Sequence, residues 1–206
     1  MINYEKPWLS TGETLVCFGD SITASVTGYT AILQKHLAKK NIKVINAGRG
    51  GDKTPWALTR LESDVIALKP DAVSIFLGTN DCAVGRAQWA DEPMVSPEAY
   101  KSNLIWIIHL CRLKNINKFS ITPPLGRFEG QARLDYGDII AEYCSAAREA
   151  ASIMKVQCVP ADAACDMERQ KHNAGDTILL TVDGIHLNEK GNSLVADTML
   201  TTWGLQ

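Results

Sequence analysis

The stretch LVCFGDSITA, residues 15–24, runs as an apolar strand and stops at Gly19-Asp20-Ser21. A serine hydroxyl is a weak nucleophile at neutral pH and needs a base that takes its proton as it attacks. The usual base is histidine, whose ordinary pKa of about 6.5 leaves it mostly neutral at pH 7. A carboxylate on the far ring nitrogen fixes the tautomer and stabilises the imidazolium that forms. VDGIHLN, residues 182–188, supplies both partners: Asp183 and His186 are three apart, and one turn can bring such a carboxylate to the ring. Attack on a carbonyl also creates an oxyanion, and losing one donor to it raises the barrier by ~3–4 kcal/mol. Gly51, in NAGRGGDKT, and Asn80, in LGTND, are of the types that donate there, the first through a close-approaching backbone N–H and the second through its amide. The N–H of Ser21 is a third donor. Taken singly, each block has a plainer reading as a turn or a helix start. His36 and His109 fall in helical patterns and His172 in a charged loop, so these read as ordinary. The weight lies in the joint occurrence.

These groups can act together only if the fold gathers them. Short apolar runs alternate with helical patterns along the chain. Strands are expected at 14–18, 43–46, 71–78, 118–122 and 155–159. Helices are expected at 28–40, from Thr54 as N-cap with Pro55 in the first turn through Leu68, at 97–113, at 136–152 and from about Asn188 onward. Three connections, 79–96, 123–135 and 160–187, are long, as functional loops often are. Alternating strands and helices imply a parallel sheet with right-handed crossovers, giving an α/β fold of three layers, α/β/α, around a five-stranded parallel sheet. In such sheets the site lies beyond the carboxyl ends of the strands. Ser21 follows the first strand, Gly51 the second and Asn80 the third, while Asp183 and His186 precede the last helix. With no internal repeat and no linker, residues 1–206 read as a single domain.

Composition narrows the partners. The formal net charge is −2 and no basic run occurs, so nothing asks for nucleic acid or an anionic membrane surface. No stretch reaches the roughly 18 apolar residues of a membrane span, and the first residues lack a signal-type apolar core. The six cysteines form no C-x-x-C pair. They read as reduced, mostly buried thiols, which makes the cytoplasm the expected compartment. Cys82 reads as packing, and Asp20 and Asp81 as scaffolding of their turns. The sequence leaves the oligomeric state open.

The four blocks resemble those of the SGNH (GDSL-type) hydrolases. FGDSIT matches the first, with Ser21 as nucleophile. NAGRGGDKT matches the second, with Gly51 as oxyanion donor and Gly48 as the alternative. LGTND matches the third, with Asn80 as amide donor, and DGIHLN the last, with Asp183 and His186. The resemblance runs from residue 15 to about 200. It implies a flavodoxin-like sheet and a serine esterase that cleaves carboxylic esters of small to medium acyl chains without metal or cofactor, its partner a small-molecule ester. ITPP and HLNEKGNSLVADTML are most similar to the small isoamyl acetate-hydrolysing esterases. A carbohydrate acetylesterase, a thioesterase or a lysophospholipase of the same family is the alternative. Arg86, Trp89, Pro124 and Phe128 are candidates for the substrate wall. The rivals are weaker. VINAGRGGDKTP misses the phosphate-binding G-x-x-x-x-G-K-[ST] pattern because Asp52 intervenes before Lys53. A magnesium pocket of Asp20, Asp81 and Asp183 leaves His186 without a use. No G-x-S-x-G, the mark of an α/β-hydrolase nucleophile, occurs.

Overall fold

A computed structural model describes residues 7–83 and 93–206. Five strands, β1 (Thr14–Gly19), β2 (Lys43–Gly48), β3 (Ala72–Phe76), β4 (Lys118–Thr122) and β5 (Gln157–Cys158), form one sheet in the order β2-β1-β3-β4-β5, and every pair is parallel. Alternation along the strands splits the core in two. Val16 and Phe18 of β1, Val73 and Ile75 of β3, and Phe119 and Ile121 of β4 face one layer of helices. Leu15, Cys17, Ala72 and Phe76 face the other. Both sheet faces are covered, so the central strands read as continuous apolar runs.

The first layer holds α3 (Thr54–Thr59), α4 (Leu61–Asp64), α5 (Pro97–Arg112) and α7 (Ile140–Met154). Ser96 caps α5, its hydroxyl accepting from the Ala99 N–H at 3.2 Å, and Pro97 fills the first turn. Tyr100, Leu104, Ile107, Ile108 and Cys111 then recur at helical spacing and are buried. The second layer holds α2 (Tyr29–Leu37), α8 (Ala161–Lys171) and α9 (Glu189–Thr202). Two short helices, α1 (Ser21–Ala24) and α6 (Gly130–Tyr136), lie near the strands' carboxyl ends.

Several elements depart from expectation. The run 54–68 is not one helix but α3, α4 and a 3-10 turn at 66–68. Lys53, not Thr54, occupies its N-cap, because both the backbone N–H and the hydroxyl of Thr54 donate to Asp81. The helix expected at 136–152 divides at Gly137, whose φ of 64° ends α6, and α7 runs on to Met154. β5 keeps two residues, with Lys155 left-handed before it and Pro160, which lacks an N–H, after it. The connection 160–187 contains α8, whose alternating charges hide its apolar side.

Arg60 ties the site-bearing ends of β1 and β2 to the loop between β2 and α3. Its guanidinium pairs with buried Asp52, donates to Gly19 O at 2.8 Å and Ala47 O at 2.9 Å, and lies 4.3 Å over the Phe18 ring. Arg60→Met would leave Asp52 as a buried, unpaired charge, so a loss of about 3–5 kcal/mol is expected in urea unfolding. A loss below about 1 kcal/mol, the scale of an exposed pair, would contradict this role.

Candidate active site

The turn after β1 is set by Asp20, whose Oδ1 accepts from the Ile22 N–H at 3.0 Å and so starts α1 with Ser21 as its first residue. Gly48, at the end of β2, packs against this turn: a Cβ there would stand 2.2 Å from the Ala24 nitrogen. At the other end of the chain, the residues before α9 fold back through a bridge between Thr181 and Leu187, closed by the Val182 N–H donating to His186 O at 2.8 Å. The two ends meet. Ser21 Oγ lies 2.9 Å from His186 Nε2, and His186 Nδ1 lies 2.7 Å from Asp183 Oδ2. The other carboxylate oxygen, Oδ1, accepts from the backbone N–H of His186 at 2.8 Å and of Ile185 at 3.0 Å. The turn that presents the carboxylate thus also binds it. With Asp183 accepting from Nδ1–H, Nε2 is the acceptor that faces the serine hydroxyl.

Ser21 and His186 open onto a cavity of about 410 Å³ that is also lined by Gly50, Gly51, Thr79, Asn80, Ala83, Phe128, Tyr136 and Ile185. Gly51 has a φ of 76°, a conformation that favours glycine, and brings backbone to the cavity edge. Gly48 is committed to the sheet, opposite Gly19, and to contact with α1. Asn80 donates one N–H to Asp52 O at 3.0 Å, which fixes the orientation of its amide. Opposite these polar groups stand Phe128 and Tyr136, their ring centroids 5.1 Å apart, and Ile185.

Charge is unevenly distributed around the site. Burial raises the Asp183 carboxyl, but the hydrogen bonds from His186 and two backbone N–H groups outweigh it, and its pKa is lowered. Two other carboxyls go the opposite way. Burial pushes Asp20 up to about 7, with Asp81 and Asp52 adding to the effect. Burial pushes Asp81 up to about 6 against the hydrogen bonds from Thr54. Both are fully enclosed and hold turns, Asp20 that of α1 and Asp81 that of α3.

The structure gathers Ser21, Gly51, Asn80, Phe128 and His186 at one cavity, with Asp183 behind the imidazole. Pro124, expected at the wall, is not among the lining residues. It is buried, and its ring lies beside Gly78, the residue preceding Thr79-Asn80. Arg86 and Trp89 lie outside the described residues. Tyr136 and Ile185 were not anticipated; Ile185 stands inside the Asp183–His186 block, whereas nothing in the sequence marks Tyr136. The phosphate-loop reading fails in space as well as in pattern. Buried Lys53 donates to Ala83 O at 3.3 Å and Pro93 O at 2.9 Å, and Asp52 is paired with Arg60. In place of a magnesium ligand's role, the Asp183 carboxylate is engaged by the His186 ring and by the backbone N–H groups of Ile185 and His186, while Asp20 and Asp81 are enclosed and hold their turns. Among the described residues no three such ligands are grouped to hold a cation.

A GDSL esterase/lipase of Arabidopsis thaliana is 30% identical over 203 residues, covering 89% of this chain and 82% of that protein. The chain spans less than half the length of the first curated relatives: 48% of the uncharacterized lipoprotein YqeF of Bacillus subtilis, at 32% identity over 119 residues and 53% of this chain, and 42% of an acetylxylan esterase of Geobacillus stearothermophilus, at 38% identity over 91 residues and 35% of this chain. Among solved structures, an α/β hydrolase from the metagenome of Lake Arreo, Spain, superposes with a TM-score of 0.83 at 24% identity, over 97% of this chain and 99% of that one, and shares the fold. The GDSL-like Lipase/Acylhydrolase family matches residues 17–194, from the strand that precedes Ser21 to the helix that follows His186, and the chain belongs to that family.

Proposed function

We propose that the chain is a metal-independent serine esterase that hydrolyses carboxylic esters of small to medium acyl chains through Ser21, His186 and Asp183. The observation that carries this reading is the continuous relay from Asp183 Oδ2 through the imidazole to Ser21 Oγ, at 2.7 and 2.9 Å, at the edge of a cavity. His186 takes the hydroxyl proton through Nε2 as Oγ attacks the ester carbonyl. Asp183, kept ionised by its three hydrogen bonds, stabilises the imidazolium. The backbone N–H groups of Ser21 and Gly51 and the Asn80 amide receive the oxyanion. The imidazolium returns its proton to the departing alcohol, leaving an acyl-Ser21. Water then repeats the two steps, with His186 as base and then acid, and releases the carboxylic acid. The acetylxylan esterase of Geobacillus stearothermophilus, whose catalytic mutants replace a serine, a histidine and an aspartate, supports the same assignment here.

The apolar wall of Ala83, Phe128, Tyr136 and Ile185 suits an apolar ester and supports a preference for alkyl esters of small to medium acyl chains. The 30% identity over 200 residues with an isoamyl acetate-hydrolyzing esterase homolog of Bos taurus supports this. Acetylated sugars are the second reading, favoured by an acetyl xylan esterase structure at 26% identity and a TM-score of 0.81, over 91% of this chain and 98% of that one. Six unpaired cysteines, five of them buried, fit a reducing compartment.

Turnover of p-nitrophenyl acetate is expected to fall by roughly 10⁴-fold or more in Ser21→Ala. Asn80→Ala should lose roughly 10²- to 10³-fold in kcat with little change in KM. Retained activity in the first variant would remove the nucleophile, and a loss confined to KM in the second would remove the oxyanion role. The raised Asp20 carboxyl has a signed consequence. Between the ordinary carboxyl value of 3.8 and about 7, Asp20 ionises in the unfolded chain but stays protonated in the fold, so its contribution to stability is lost as pH rises through that window. Asp20→Asn keeps the Oδ1 acceptor for Ile22 and carries no charge. Its Tm relative to wild type should therefore rise by several degrees from pH 5 to pH 8, and a constant difference would contradict the burial argument.

A further inference from the structure

The His186–Asp183 dyad is half exposed, so packing does not fix it. Its position must come from the backbone of 175–187, which among the described residues holds no regular element beyond the single Thr181–Leu187 bridge. Glu129, 2% exposed, is the group on which that backbone converges. Its Oε2 accepts from three successive N–H groups, Leu179 at 2.9 Å, Leu180 at 3.0 Å and Thr181 at 3.0 Å, and from the Thr181 hydroxyl at 2.6 Å. Arg169, 5% exposed, pairs with the other oxygen and donates to Gly175 O and Thr177 O.

The grip continues to the dyad itself. The Thr181 hydroxyl has one hydrogen, which goes to Glu129, and its lone pair accepts from the Gly184 N–H at 3.1 Å. The backbone N–H of Glu129 donates to Gly184 O at 3.0 Å. Gly184, with a φ of 92°, sits so close that a Cβ would stand 2.2 Å from Glu129 O. Gly184 directly follows Asp183, which bears the carboxylate, and stands two residues before His186, which bears the imidazole. Asn188 supports the same stem by donating to Leu179 O at 3.0 Å and Thr181 O at 3.1 Å.

We propose that Glu129, held by Arg169 and relayed through the Thr181 hydroxyl to Gly184, is the positioning residue that sets His186 and Asp183 against Ser21. A buried ion pair gives little net stability against an apolar replacement. What this one supplies is a fixed conformation for a loop whose described residues form no regular element beyond one bridge. The proposal rests on the esterase reading for its kinetic effect but not for its structural one.

Thr181→Val keeps the shape and removes the relay, Thr181→Ser keeps the hydroxyl, and Glu129→Gln removes the carboxylate. Each is compared with wild type in Tm, in kcat and KM for p-nitrophenyl acetate well below Tm, and in the low-field proton resonance of the His186 Nδ1–H···Asp183 bond. Thr181→Val and Glu129→Gln should lose roughly 10- to 100-fold in kcat at unchanged KM and lose or broaden the resonance. Thr181→Ser should restore both. Should Thr181→Val and Glu129→Gln keep wild-type kcat and a sharp resonance, with only Tm lowered, the positioning role is overturned and the esterase reading stands. Should wild type be inert toward all esters while the resonance still depends on Thr181 and Glu129, the positioning role is supported and the esterase reading fails.

Discussion

Ser21 Oγ and His186 Nε2 are 165 positions apart in sequence and 2.9 Å apart in space. A neutral hydrogen bond of this kind is worth only about 1 kcal/mol, so it cannot hold the two segments together. The fold must deliver them. β1 lies between β2 and β3 in the sheet, which fixes where its carboxyl end and Ser21 emerge. The last helix packs with α2 on the second sheet face, and the Asn192 side chain accepts from the Tyr29 N–H at 2.8 Å, so the start of α9 is tied to the helix just beyond Ser21. Every further feature of the site depends on that meeting of two distant segments.

Charge in the site is kept where chemistry can use it. The carboxylate that must stay ionised, Asp183, is half exposed and receives three hydrogen bonds. The carboxyls that only hold turns, Asp20 and Asp81, are fully enclosed and raised. Three buried charged groups each brace one loop of the rim: Arg60 holds the ends of β1 and β2, Lys53 holds Ala83 and Pro93, and Glu129 holds 179–181. Charged hydrogen bonds to backbone give these loops the definition that packing gives elsewhere.

Much of this was legible in the sequence because the signals are local. The strands announce themselves by apolar runs, and Gly-Asp-Ser, Gly-Thr-Asn-Asp and Asp-Gly-Ile-His each mark a break directly beyond or before an element. The parallel topology then puts them on one rim. What escaped was set by contacts between distant residues. Thr54 is drawn out of the N-cap by Asp81, 27 positions away. Glu129 looks like any loop carboxylate until Leu179–Thr181 fold onto it. Tyr136, the last residue of α6 before Gly137, lines the cavity together with Phe128, eight positions before it. Pro124 covers Gly78, whose lack of a Cβ leaves room for its ring: a Cβ there would stand 2.7 Å from the Pro124 Cγ.

The central claim is that a single hydroxyl, activated from the far end of the chain, carries the covalent chemistry. Peptide mapping by mass spectrometry after treatment with a fluorophosphonate tests it most directly. One phosphonyl group per chain, on the peptide containing Ser21 and with matching loss of ester turnover, is the expected result. Inactivation with the label on another residue, or full turnover in a protein whose Ser21 is quantitatively labelled, would contradict it.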